Sequence, residues 1–113
     1  MRGLRDLFLD IKLPESHPAA EQLFGAAWSA CFIGAIEVAA VQKKVKLPAT
    51  PEIDALIDLN TTGGANFFLR AHLSIKVPGL DREAAQALVD AAQGICPYSK
   101  AIHGNIEMKT TLL

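Results

Sequence analysis

An excess of positive charge is absent from this sequence. Its 11 Lys and Arg are outnumbered by 12 Asp and Glu, for a formal net charge of −1. Without a basic field or stripe the chain has no electrostatic footprint for DNA or RNA, so nucleic acid is not an expected partner. The start, Met1 to Phe8, brings charges at once and has no apolar run ending in a small-residue cleavage site. A secretory leader is therefore not expected, and the cytoplasm is the expected compartment. There are only two cysteines, Cys31 and Cys96, and in a reducing compartment a permanent disulfide staple is excluded as their ordinary purpose. A pair that oxidises there is catalytic or redox-sensing. The spacing is not CxxC, and His17, His72 and His103 are scattered, so neither a metal nor a cofactor is expected.

What is present is apolar surface in a short chain. Half of the 113 residues are apolar, while aromatics reach only 6%. Residues 1–113 suffice for a single domain near the lower end of domain sizes. One small globule covers that much apolar surface poorly, and a second copy of the chain would cover it, so a homodimer is expected.

The chain is punctuated legibly. Leu9, Ile11 and Leu13 alternate with Asp10 and Lys12 as a half-buried strand does. Ser16 and Pro18 mark a helix start, and Glu21 falls in the first turn, where the helix dipole favours an acid. From Leu23 to Val41 the sequence is apolar almost all round and is followed by Lys43 and Lys44, which suit a helix C-terminus. Two readings stand here, a buried central helix or a membrane span. Glu37 would cost a span about 2.5 kcal/mol or more, so the core helix is preferred and no membrane is expected. Ile53–Asn60 and Phe67–Val77 read as strands joined through Thr61–Asn66, with Phe68, Arg70, His72, Ser74 and Lys76 on the wetter face of the second. Pro78-Gly79 stops that strand. A second helix is expected from Asp81 to Gly94, with Ala84, Ala85, Leu88, Ala91 and Ala92 as its apolar stripe and Gly94 closing it. Ile95–Ser99 reads as a turn or a short helix start. Asn105–Leu113 alternates as a final strand. The order is β-α-β-β-α-β, an α+β domain with a long buried central helix.

Of the two cysteines, Cys31 sits within the apolar helix, where a thiol is ordinarily a small hydrophobe in a core. Cys96 stands before Pro97 and after a helix stop, where a following helix turn would offer it N–H groups and favour its thiolate.

These residues carry a resemblance. Glu21-Gln22-Leu23-Phe24 and Ser29-Ala30-Cys31-Phe32, taken with Ile95-Cys96-Pro97-Tyr98-Ser99, Gly104-Asn105-Ile106 and Pro78 to Glu83, resemble the organic hydroperoxide resistance (Ohr) branch of the OsmC/Ohr superfamily, from about Phe8 onward. The resemblance implies an intertwined homodimer with long helices packed centrally and a site at the subunit interface. It also implies a thiol peroxidase reducing organic hydroperoxides. Cys31 would be the peroxidatic sulfur, Cys96 the resolving one, and a lipoyl-type dithiol the reductant. Glu21 matches the glutamate that orients an arginine beside the peroxidatic sulfur. Ten residues of straight helix, roughly 15 Å, separate it from Cys31, so either the helix bends or the partnership crosses the dimer interface. The arginine itself belongs to a glycine-rich turn ahead of the first strand, and no residue here falls at its position; Arg2 and Arg5 lie nearest. Trp28 and, beyond CPYS, Lys100 and His103 depart from the family pattern; Trp28 suits a core or pocket wall. The alternative from a different class is a degenerate OsmC-like dimeric domain that binds a small apolar ligand without turnover.

Overall fold

The computed structural model describes residues 20–113. The expected strand Leu7–Leu13, the helix-start residues Ser16 and Pro18, and Arg2 and Arg5 lie outside the described residues.

The first described element is the long helix α1, Ala20–Gln42. Gly25, Trp28, Phe32, Ala35, Ile36, Ala39 and Ala40 are buried, and their spacings of three and four place them on one stripe. The sequence is apolar all round, yet Ala26, Ala27, Ala30, Glu37, Val38 and Val41 on the other side are exposed. By length and composition α1 could cross a membrane. Within this chain it is a core helix, with Trp28, Phe32 and Ile36 fully buried. It ends in a Schellman motif: Lys44 N–H reaches the Val41 carbonyl at 3.1 Å and Val45 N–H the Ala40 carbonyl at 2.8 Å. Lys44 takes the left-handed position, φ 56°, that glycine usually fills. The two lysines thus do more than answer the dipole, since one of them makes the turn.

Strands β1 (Glu52–Thr61) and β2 (Phe67–Lys76) form the expected hairpin, antiparallel and in register from Glu52 opposite Lys76 to Thr61 opposite Phe67. The connecting residues tie themselves together, with Gly63 N–H donating to Thr61 Oγ1 at 3.0 Å and Asn66 Nδ2 donating to Thr62 Oγ1. Alternation sorts the faces as expected: Ala71, Leu73 and Ile75 are buried, whereas Arg70 and Lys76 are exposed and His72 and Ser74 only partly covered. After Pro78, Gly79 turns at φ 84°, and a Cβ added there would lie 2.7 Å from Pro48 Cγ. A side chain is excluded at this corner by both backbone and space.

Helix α2, Arg82–Ile95, begins at Asp81, whose carboxylate accepts from Ala84 N–H at 2.7 Å. Its buried set is Ala85, Leu88, Val89 and Ala92; Ala84 and Ala91 from the expected stripe flank it, partly covered. Gly94 does not close the helix. The hydrogen bonding runs on to Cys96, whose N–H reaches the Ala92 carbonyl at 2.9 Å. The chain then opens the short helix α3, Pro97–Ile102, and finishes in strand β3, Glu107–Leu112. Strand β3 adds to β2 in parallel, giving the sheet order β1-β2-β3. A parallel neighbour requires a crossover rather than a turn, and α2 with α3 provides it. The outer face carries a charge row, with Asp58 opposite Arg70 and Arg70 opposite Glu107. The inner face packs into one core with α1 and α2. The fold is α+β, with one short helix more than the expected order.

Candidate active site

Two helices bring the sulfurs together. Cys96 terminates α2 and also stands at the start of α3, where Lys100 N–H donates to its carbonyl at 3.0 Å. Bound on both sides through its backbone, the residue holds its side chain at a fixed corner, fully buried. α1 crosses this corner at Cys31, which keeps partial exposure. The Cys96 thiol donates to Cys31 Sγ at 3.1 Å, and both cysteines are free thiols. A disulfide needs about 2.05 Å, so closure calls for roughly 1 Å of further approach.

One turn along each helix stands a second contact between the same elements. Trp28 Nε1 donates to Ser99 Oγ at 3.0 Å, with both residues buried. The indole also packs on Phe24, ring centroids 5.5 Å apart. Trp28 is thus a core residue, as its apolar helix suggests. The sequence did contain a signal for its partner, since Trp28 precedes Cys31 by three positions and Ser99 follows Cys96 by three. Residues at that spacing share a helix face.

Burial pushes the Cys31 thiol above its ordinary range. The backbone N–H of Tyr98 acts in the opposite direction, by hydrogen bonding to the Cys31 sulfur, while the adjacent Cys96 thiol adds to the rise. This corrects an expectation: the opening turn of α3 offers its N–H to Cys31 and not to Cys96, whose side chain makes no capping bond there. The sequence places Cys96 on that helix, but only the tertiary fold sets Cys31 in front of it.

Glu21 is not part of this cluster. α1 runs without interruption from Ala20 to Gln42, which leaves Glu21 roughly 15 Å from Cys31 along the axis. It borders an open groove of about 410 Å³ between the first turns of α1 and strand β1, with Gly25, Ser29, Ala55 and Ile57. Gly25 permits this close approach, since a Cβ there would sit 3.1 Å from Ile57 Cγ1. Lys100 and His103 line a different cleft of about 520 Å³ with Ile106 and Met108. Among the described residues no group of three His, Cys, Asp or Glu is placed to hold a metal ion.

Residues 13–111 match the family model described as OsmC-like protein. The chain belongs to the OsmC-like family. Its relatives within the family include organic hydroperoxide resistance proteins. That of Xanthomonas axonopodis pv. citri is 46% identical over 92 residues, which are 81% of this chain and 64% of the relative. OhrB of Bacillus subtilis is 41% identical over 81% of this chain and 67% of its own length. The chain therefore spans a little under two thirds of the Xanthomonas relative it matches. Solved structures agree with the sequence comparison. The crystal structure of Bacillus subtilis OhrB superposes with a TM-score of 0.79 at 37% identity, covering 88% of this chain and 73% of that one. An organic hydroperoxide resistance protein from Legionella pneumophila gives 0.80 at 35% identity, covering 86% and 70%.

Proposed function

We propose that this OsmC-like protein is a cysteine-based thiol peroxidase that reduces organic hydroperoxides to alcohols. The observation that carries the reading is the Cys31–Cys96 pair, two free thiols with sulfurs 3.1 Å apart in a member of the Ohr branch. Cys31 is the sulfur that meets substrate, since it keeps partial exposure while Cys96 is fully buried. Its thiolate attacks the distal peroxide oxygen, the O–O bond breaks, and the alkoxide takes up a proton and leaves as the alcohol. Cys31 is left as a sulfenic acid. Cys96 then attacks the Cys31 sulfur, the oxygen departs as water, and the Cys31–Cys96 disulfide remains. A lipoyl-type dithiol returns both sulfurs to thiols by exchange, becoming a disulfide itself.

The continuous α1 favours the second of the two expectations for Glu21, a contribution to the site of a partner subunit in an intertwined homodimer. The exposed apolar stripe of α1 supports such an assembly, and light scattering at micromolar concentration should report a dimer. The proposed setting is the cytoplasm, without nucleic acid or membrane as partner.

The test is consumption of cumene hydroperoxide with dihydrolipoamide as reductant, followed by stopped flow and intact mass. Wild type turns over, Cys31→Ser consumes nothing, and Cys96→Ser reacts once before excess peroxide carries Cys31 to the sulfinic state. A rapid first turnover in Cys31→Ser, with none in Cys96→Ser, would reverse the roles. A wild type that consumes no peroxide would leave the non-catalytic apolar-ligand reading in its place.

A further inference from the structure

We infer that the Trp28–Ser99 hydrogen bond is a positioning clamp that sets the stability of the Cys31–Cys96 disulfide by holding α3 against α1. The inference rests on reading the two cysteines as a redox pair and extends that reading to two residues with no sulfur chemistry of their own.

The geometry is a short antiparallel arrangement. α1 contributes Trp28 and Cys31 from adjacent turns, and the Cys96–α3 corner contributes Ser99 and Cys96 with the same spacing. Two cross-links join the same two elements: one fixed, Nε1 to Oγ at 3.0 Å, and one that changes with redox state, Sγ to Sγ at 3.1 Å. α3 has only six residues, too few for its own helical hydrogen bonds to anchor it. Its opening residues Pro97 and Tyr98 are exposed, and Ser99 is its buried point. With Ser99 tied to the indole, rotation of the two cysteine side chains supplies the remaining approach of about 1 Å, and the helices need not be reordered when the bond forms. Without the tie, that ordering falls on disulfide formation. The indole N–H and the hydroxyl are both buried, so removing one strands the other, which adds to the loosening.

The chemistry affected is thiol–disulfide exchange. Cys31 and Cys96 together give up two electrons and two protons, and one molecule of oxidised glutathione accepts them to become two thiols. The clamp leaves these atoms untouched and changes only how close the sulfurs are held.

The experiment equilibrates the full-length protein with graded mixtures of reduced and oxidised glutathione, then counts thiols by alkylation and intact mass. Ser99→Ala and Trp28→Phe should each shift the equilibrium about tenfold toward the dithiol, which for this two-electron couple is about 30 mV. The double variant W28F/S99A should fall no further than the worse single variant, because the second change removes a group already without its partner. Ser99→Ala deletes one oxygen and decides the matter alone if Trp28→Phe does not fold. Curves that superimpose on wild type, or a double variant whose shift equals the sum of the singles, would overturn the clamp. No peroxide enters this measurement. A wild type that closes a disulfide tuned by the clamp yet consumes no cumene hydroperoxide removes the peroxidase reading and keeps the clamp; superimposed curves in an active peroxidase do the opposite.

Discussion

The two ends of α1 are packed in different ways. From Trp28 to Ala40 the helix presses on α2, α3 and the sheet, and its buried side chains form one core with Leu73, Ile75, Leu88 and Val89. From Glu21 to Ala26 it borders β1 across an open groove, and beyond it Leu59 and Phe67 at the hairpin end are 53% and 60% exposed. The sulfurs lie at the closed end. Disulfide chemistry needs two side chains fixed to within a fraction of an ångström, and packing from three elements supplies that. The open end carries Glu21, the one carried-over residue with no partner for its assigned role among the described residues. Among the described residues the two thiols are thus brought together within one chain, and the Glu21 carboxylate stands apart from them.

The sharpest way to break this contrast is to truncate one apolar side chain at the closed end and one beside the open groove. Trp28→Ala should cost about 3–5 kcal/mol, since it empties a fully buried site and strands the Ser99 hydroxyl. Leu59→Ala should cost under about 1 kcal/mol, because much of that side chain is already in water. Urea denaturation of both variants under reducing conditions gives the comparison, and equal losses would mean that the open end is covered as well as the closed one. Next in size is Gly79→Ala. It forces a Cβ onto the Pro48 ring in a backbone conformation that alanine resists, and should cost about 2 kcal/mol or more by the same measurement.

A smaller effect per step sharpens the chemistry of the closed end. Burial pushes the Cys31 thiol above its usual range, which favours the thiol over the thiolate. Below the thiol pKa, the single-turnover rate with cumene hydroperoxide should rise about tenfold per pH unit and level off only beyond it. A rate flat from pH 6 to 8 would require a cation beside the sulfur. The smallest change expected is a gain. Lys44→Gly relieves a left-handed lysine at the end of α1 and should stabilise the fold by up to about 1 kcal/mol in the same denaturation series.

Sequence and structure agree best where a periodicity has one physical meaning. Alternation in Phe67–Val77 gave both a strand and its wet face, and the Asp81 cap with the Ala85, Leu88 and Ala92 stripe gave a helix. Gly94 misled because glycine is tolerated within a helix when the next residues continue the hydrogen bonding, as Ile95 and Cys96 do. The parallel pairing of β3 with β2 was not legible, since alternation tells which face is buried and says nothing about which strand lies alongside. The meeting of Cys31 and Cys96, 65 positions apart, was reached through family resemblance and not through spacing. The Trp28–Ser99 contact was missed for the same reason, although its two residues stand at matched offsets from the cysteines.

The charge row on the outer face acts as a reading frame for the sheet. A hairpin turn fixes where β1 meets β2, but β3 arrives through a helical crossover and could be laid down at several offsets along β2. A slip by one residue is rejected at once, because it would turn the core face to water. A slip by two passes that check, since every side chain keeps its face. The charges are among the contacts that then tell the frames apart, together with the contact of His72 to Thr111 Oγ1 at 2.7 Å and the burial of Leu112. Shifted one way, Lys109 faces Arg70; shifted the other, Glu107 leaves Arg70 for His72. As an exposed ion pair with N and O 3.9 Å apart, Arg70–Glu107 adds little to the total stability. Its value lies in the comparison it makes between alignments, where a few tenths of a kcal/mol in favour of one, set against repulsion in another, adds to the other contacts of β3 in biasing the sheet toward one frame.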